Sequence, residues 1–223
     1  MTAARDAILG GIRRSLRRGP LSDADVAVGP GARLEAKAPV LVPERAKGTP
    51  AELVDRFLTM AQEAAATVER IPDREALPGA IATYLKDRNL STELVASADP
   101  ELDGLAGHGM LTVKRGLPSP ADTVSVVPAL CGLAETGTLM LSSSATRAST
   151  LNFLPETHIV VLKTSDVVGG LEEAWAMLRA QGSTPRTVNF ITGPSRTGDI
   201  EQTLQMGAHG PLRLHILLVD ETP

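Results

Sequence analysis

Glu135 stands in the run ALCGLAETGTLMLSSSATRASTLNFLPETH, residues 129–158, just ahead of Thr136, Gly137, Thr138 and an apolar stretch. A carboxylate at the entrance of a buried strand can serve as a nucleophile or a general base. Beyond that stretch Ser142, Ser143, Ser144, Thr146 and Arg147 form a loop rich in donors. Glu135 set opposite this loop suits acyl or proton transfer, and it suits equally an ion pair with Arg147 that braces two loops. A second concentration is GPSRTGDIEQ, residues 193–202. Gly193 and Gly198 permit close backbone approach, Ser195 or Thr197 can cap a helix, and Asp199 and Glu201 would fall in its first turn. Free amides at such a helix start can hold a carboxylate or phosphate, with Arg196 adding a bidentate charge. Acidic residues already satisfy the helix dipole, so from spacing alone capping is the more economical reading. The glycine spacing of a dinucleotide fingerprint and the Gly-Lys-Ser/Thr ending of a Walker loop are both missing.

The histidines and the cysteine add little chemistry. His108, His158, His209 and His215 fall in no compact ligand spacing, and no metal site is expected. His209 is the one to watch, because Gly207, Gly210 and Pro211 define a tight loop that can aim it. His215, inside an apolar run, is expected to be a hydrogen-bonded core residue. Cys131 is the single cysteine and has no activating neighbour, so it reads as a buried, inert thiol.

The elements that must position these residues follow from apolar spacing. Ile8, Leu9, Ile12 and Leu16 share one helical face, with arginines elsewhere, giving a helix over residues 1–18 for docking on the domain or a partner. Prolines and glycines interrupt residues 19–49, which read as an extended linker or arm. From residue 50 to 223 the texture is that of a domain. Helices are expected near 50–61, 77–85, 171–179 and 200–206, and strands near 67–71, 93–97, 122–127, 138–142, 158–163, 187–192 and 213–219. Between 98 and 121 the pattern weakens into loops and one strand. Nearly continuous apolar strands alternating with helices at the end of the chain predict parallel βαβ units and an α/β fold. On that reading GPSRTGDIEQ lies beyond the carboxyl end of a parallel strand, where ligands collect.

Composition bounds the function. The chain has 223 residues, 43% of them hydrophobic, which supports a sizeable core. The net charge of −4 and five aromatic residues argue against a nucleic-acid surface. One cysteine allows neither an internal disulfide nor an iron–sulfur cluster, which needs about four ligands. A reducing, cytoplasmic location is expected. No apolar run approaches the roughly 18 residues of a membrane span. The basic N-terminal stretch lacks the apolar core of a secretory signal.

The two motif stretches also carry a resemblance. AETGTLML with Arg147, Leu154-Pro155 and His158-Ile159, followed by GPSRTGDIEQTLQMGAHGPLRLHILL, is similar to the LUD-domain family and, within it, to the lactate-utilisation protein C type. The likeness spans residues 50–223, and the opening ILGGIRRSL is also similar to that type. It implies a three-layer α/β/α, Rossmann-like domain of the ribose-5-phosphate isomerase, glucosamine-6-phosphate deaminase and CoA-transferase group (NagB/RpiA/CoA-transferase-like). It implies a subunit that oxidises L-lactate to pyruvate together with iron–sulfur partner proteins, with no cofactor in this chain and a small anionic ligand. The matching positions give Glu135 as catalytic candidate. Thr136, Gly137, Arg147, Gly193, Ser195, Arg196, Asp199, His209 and Gly210 are the ligand-binding candidates. Two other functions stay open: a stand-alone transferase or isomerase-like enzyme using Glu135, and a non-catalytic scaffold or sensor. Oligomeric state is not legible in the sequence.

Overall fold

A computed structural model describes residues 2–19, 22–29, 31–32, 41–198 and 205–220. The chain divides into a small unit, Met1–Leu41, and a large one, Val42–Pro223. In the small unit α1 (Thr2–Ser15) leaves Ile8 and Ile12 on its exposed surface, with Leu16 exposed just after its end. The short α2 (Asp23–Ala27) is opened by Ser22, whose hydroxyl accepts from the Asp25 amide at 3.1 Å. The large unit begins at Val42, ahead of the first long helix, and takes in the short 3-10 turn Glu44–Ala46.

That helix, α3 (Pro50–Glu63), starts on a capping box: the Thr49 hydroxyl accepts from the Glu52 amide while Glu52 accepts from the Thr49 amide, and Pro50 occupies the first turn. A six-stranded parallel sheet follows, in the order β1 (Thr67–Ile71), β12 (Arg213–Val219), β7 (Thr157–Lys163), β4 (Val124–Pro128), β2 (Glu93–Ala96) and β3 (Thr112–Arg115). Its inner strands β12, β7 and β4 are largely apolar on both faces because both faces are covered, whereas the edge strands β1 and β3 expose Glu69, Arg70 and Lys114. Ile159, Val161 and Leu217 turn toward α4 (Leu77–Asp87) and the 3-10 helix Pro100–Gly107, packing with Ile81, Leu85 and Leu102. Val160, Leu162, Ile216 and Leu218 turn the other way, onto Phe57 and Ala61 of α3 and onto Leu139 and Leu141. This period-two alternation is the signature of strands sandwiched between two layers.

Leu139 and Leu141 belong to a second, four-stranded sheet: β8 (Val167–Val168), β5 (Cys131–Leu133), β6 (Thr138–Ser142) and β9 (Val188–Ile191). Its other face presents Cys131, Leu133 and Met140 to Ala174 and Leu178 of α5 (Leu171–Ala180). The fold is therefore mixed α/β, a three-layer α/β/α arrangement in which one outer layer carries its own small sheet.

The strand connections differ from the sequence expectation. Of the late strands, only 158–163 and 213–219 are parallel neighbours in the central sheet. The strands near 138–142 and 187–192 pair antiparallel with each other in the second sheet, so GPSRTGDIEQ does not follow a parallel strand. An apolar run reports burial on both faces, and β6 has it between the central sheet and α5; burial carries no information about strand direction. The helix expected over 200–206 is also corrected at its end, since Gln205–Met206 is a strand, β11, paired with β10 (Arg196–Thr197). Residues 200–204 lie outside the described residues. No helix among the described residues is long and apolar enough to cross a membrane.

Candidate functional site

The antiparallel ladder of β6 and β9 is what brings the two motif stretches together. Leu139 lies opposite Ile191, so the residues just before β6 face those just after β9. The Thr138 and Thr192 hydroxyls are 2.6 Å apart, and Thr136 extends the chain to Thr138 at 2.7 Å. Gly137 (φ +63) and Gly193 (φ +74) turn the backbone against the end of α3. A Cβ on Gly137 would lie 2.3 Å from the Ala61 nitrogen, and one on Gly193 would lie 2.0 Å from the Ala64 carbonyl oxygen. Glycine is required at both places by packing and by a conformation that L side chains resist.

Glu135 lines a cleft of about 530 Å³ with Thr136, Thr138, Thr192, Trp175 and Phe190. Its carboxylate accepts from Arg45 Nε at 2.8 Å and also pairs with that guanidinium's terminal nitrogen at 2.8 Å, while its amide donates to the Gly169 carbonyl at 3.0 Å. Glu135 is mostly covered and Arg45 mostly exposed, so the arm residue folds down over the acid. Arg45 gave no sequence signal, because 90 positions separate it from Glu135.

Thr192 and Phe190 are shared with a neighbouring cleft of about 230 Å³, which contains Gly193, Ser195, His209 and Gly210 from the sequence candidates. The Ser195 amide donates to the Pro211 carbonyl at 2.9 Å and its own carbonyl accepts from the Gly207 amide at 2.8 Å, pinning the base of the 195–211 excursion. Asn152 and His158, which the sequence reading left out of the site, also line this cleft. His158 is fully buried at the start of β7, with Nδ1 3.1 Å from Ser125 Oγ. Burial pushes its pKa down to about 4, opposed by a hydrogen bond with the Leu151 backbone. Asn152, in the 3-10 turn Ser149–Asn152, has no periodicity or motif that would have marked it.

Arg147 sits elsewhere. It follows β6 at the opposite end from Glu135, where the Ser143 amide donates to the Thr187 carbonyl at 2.9 Å. The five residues of β6 separate the two ends by roughly 17 Å at 3.3 Å per residue. The expected pairing of Glu135 with Arg147 is thus replaced by two separate ion pairs. Arg147 Nε and a terminal nitrogen donate to the Asp99 carboxylate at 3.0 and 2.8 Å, and Ser97 and Thr146 hydroxyls complete its shell at 2.5 and 3.1 Å. Burial alone would raise the Asp99 pKa; the hydrogen bonds from Arg147 and Ser97 outweigh it and hold the group below its ordinary value. Arg147, Arg186, Ser142, Ser144 and Ser149 line a cleft of about 690 Å³ with no carboxylate on its walls among the described residues.

The remaining candidates are placed as follows. Arg196 is exposed on the β10–β11 ribbon, with no helix start through Gly198, and Asp199 lies outside the described residues. His215 is buried, 2.9 Å from Thr67 Oγ1 through Nδ1 and stacked on Tyr84 at 3.8 Å. Cys131 is buried beside Met140, and burial followed by the Asp166 charge pushes its thiol up to about 12. Among the described residues no group of three or more His, Cys, Asp or Glu could hold a metal ion.

Together these features define a three-layer α/β/α domain whose clefts gather along an inserted mixed sheet. Residues 121–219 match the family model for the LUD domain. Over 93 residues it is 39% identical to the lactate utilization protein C of Geobacillus kaustophilus (strain HTA426) and 39% identical to that of Bacillus subtilis (strain 168). Each match takes in 40% of this chain and 39% of the relative, so about two fifths of the relatives' length is spanned. The crystal structure of a DUF162 family protein from Deinococcus radiodurans superimposes with a TM-score of 0.60 at 22% identity, over 78% of this chain and 99% of that one. That last likeness is one of fold.

Proposed function

We propose that this chain serves a lactate-utilisation system, in which L-lactate is oxidised to pyruvate by a complex that includes iron–sulfur partner proteins. The observation that carries the reading is the 39% identity to relatives named lactate utilization protein C. Oxidation of L-lactate to pyruvate releases two electrons and two protons, and the electrons need an acceptor. With one cysteine, buried and held protonated, this chain cannot supply four thiolates, so an iron–sulfur acceptor would be carried by a partner.

Within this reading the small anion binds in the cleft at the Arg147 end. That cleft offers seryl hydroxyls and the exposed Arg186, and no wall carboxylate repels a negative charge. The Glu135 carboxylate is taken up by Arg45, which favours a bracing role over that of nucleophile. Deleting the gene should abolish growth on L-lactate and leave growth on glucose intact. Full growth on lactate without it would overturn the assignment.

A further inference from the structure

We propose that the 230 Å³ cleft between β9, the 207–211 loop and the start of β7 binds a small uncharged ligand bearing an amide group, at a floor made by Asn152 and His158. This rests on the cleft's own chemistry and is independent of the lactate assignment.

Two polar atoms on that floor lack partners. Asn152 Oδ1 and His158 Nε2 are both sealed from solvent and make no hydrogen bond, in side chains that are 3% and 0% exposed. Buried polar groups in native proteins are nearly always paired, because an orphaned one forfeits its hydration without replacement. Two orphans among the residues lining one cleft therefore point to a missing partner. The imidazole is held by Ser125 Oγ, 3.1 Å from Nδ1, and by the Leu151 backbone, while Nε2 has no partner and is the nitrogen left for a ligand.

The lining decides the ligand's class. Among the described residues no ionisable side chain apart from the histidines lines the cleft; the walls are Phe153, Phe190, Pro194, Pro211 and Leu214, with Thr192 and Ser195 hydroxyls. Neither a carboxylate nor an ammonium would find a counter-charge, and burying an unpaired ion is far costlier than burying a neutral polar group. An amide supplies an N–H donor and a carbonyl acceptor on one edge, and so complements an Asn side chain and an imidazole nitrogen together. The apolar walls take the remainder of the molecule. Phe153, 44% exposed, forms part of the rim by which it enters.

Benzamide and benzoate test this, because they share size and shape and differ in charge. Titrated into the full chain carrying isotope-labelled histidine, benzamide should shift the His158 ring signals saturably, and benzoate should bind at least ten-fold more weakly. Asn152→Ala should weaken benzamide at least ten-fold. Phe153→Ala, a change at an exposed rim position, should weaken it several-fold and keeps the test open should Asn152→Ala fail to fold. The proposal is overturned if benzoate binds as well as benzamide, if His158 shows no saturable response, or if the folded variants bind unchanged. The last two outcomes would mean that buried water alone satisfies the floor.

Discussion

Replacing Gly137 by alanine separates a packing role from a ligand-binding one. The residue has φ +63, and an added Cβ would sit 2.3 Å from the Ala61 nitrogen, 2.5 Å from the Met60 carbonyl carbon and 2.7 Å from the Ala61 Cα. All three neighbours are helix backbone, which cannot swing away as a side chain would. A left-handed conformation costs an L-residue about 1–2 kcal/mol, and forcing a methyl group into a filled space costs about 1–3 kcal/mol. The sum, about 2–5 kcal/mol, corresponds to a fall in Tm of roughly 5–20 °C for a domain of this size. Urea unfolding followed by circular dichroism, with thermal scans alongside, measures it. Gly79→Ala is the control of opposite sign: nothing lies within 4 Å of its added Cβ, and it stands in the first turn of α4. There alanine should stabilise by about 0.4–1 kcal/mol. A Gly137→Ala protein as stable as the parent would refute the close contact with α3, and with it the argument that the β6–β9 edge is built on that helix.

Arg147→Ala should cost about 3 kcal/mol, because it leaves the Asp99 carboxylate, 10% exposed, without its bidentate partner. The folded pKa of Asp99 lies below the unfolded value, so the pair's stabilisation is whole above the carboxylate range and is lost as pH falls through the folded pKa. The variant should lose that part of the acid dependence in urea titrations, and an unchanged acid limb would count against the pair. His158 and His215 are both held down to about 4, mainly by burial, against an ordinary 6.5. Between these values the unfolded chain binds protons that the folded one refuses, so stability should fall by about 3 kcal/mol per histidine as pH drops from 6.5 to 4. His215→Gln should remove roughly half of that slope, and a urea midpoint flat across this window would refute both assignments.

The sequence by itself determined most of the elements. The capping pair Thr49 and Glu52, the apolar spacing of α3 and α4, and the β-branched runs of β7 and β12 are local signals, and local geometry answers to them. The cysteine count likewise set a bound on cluster chemistry that no folding could change. The family resemblance grouped Glu135, Thr136, Gly193 and Ser195 as candidates, a grouping that the spacing of the residues alone does not supply. Which strands paired, and so which side chains meet, was decided only in three dimensions. Arg45 reaches Glu135 across 90 positions, and Asp99 takes Arg147 across 48. The close backbone approach read for Gly193 is made to Ala64, just past the end of helix α3. Asn152 and His158 come to matter only because the fold brings both to one cleft and leaves a buried polar atom of each unpaired. Spacing along the chain fixes what a residue can do to its near neighbours, whereas partners across the fold are chosen by the packing of whole layers, which no short stretch encodes.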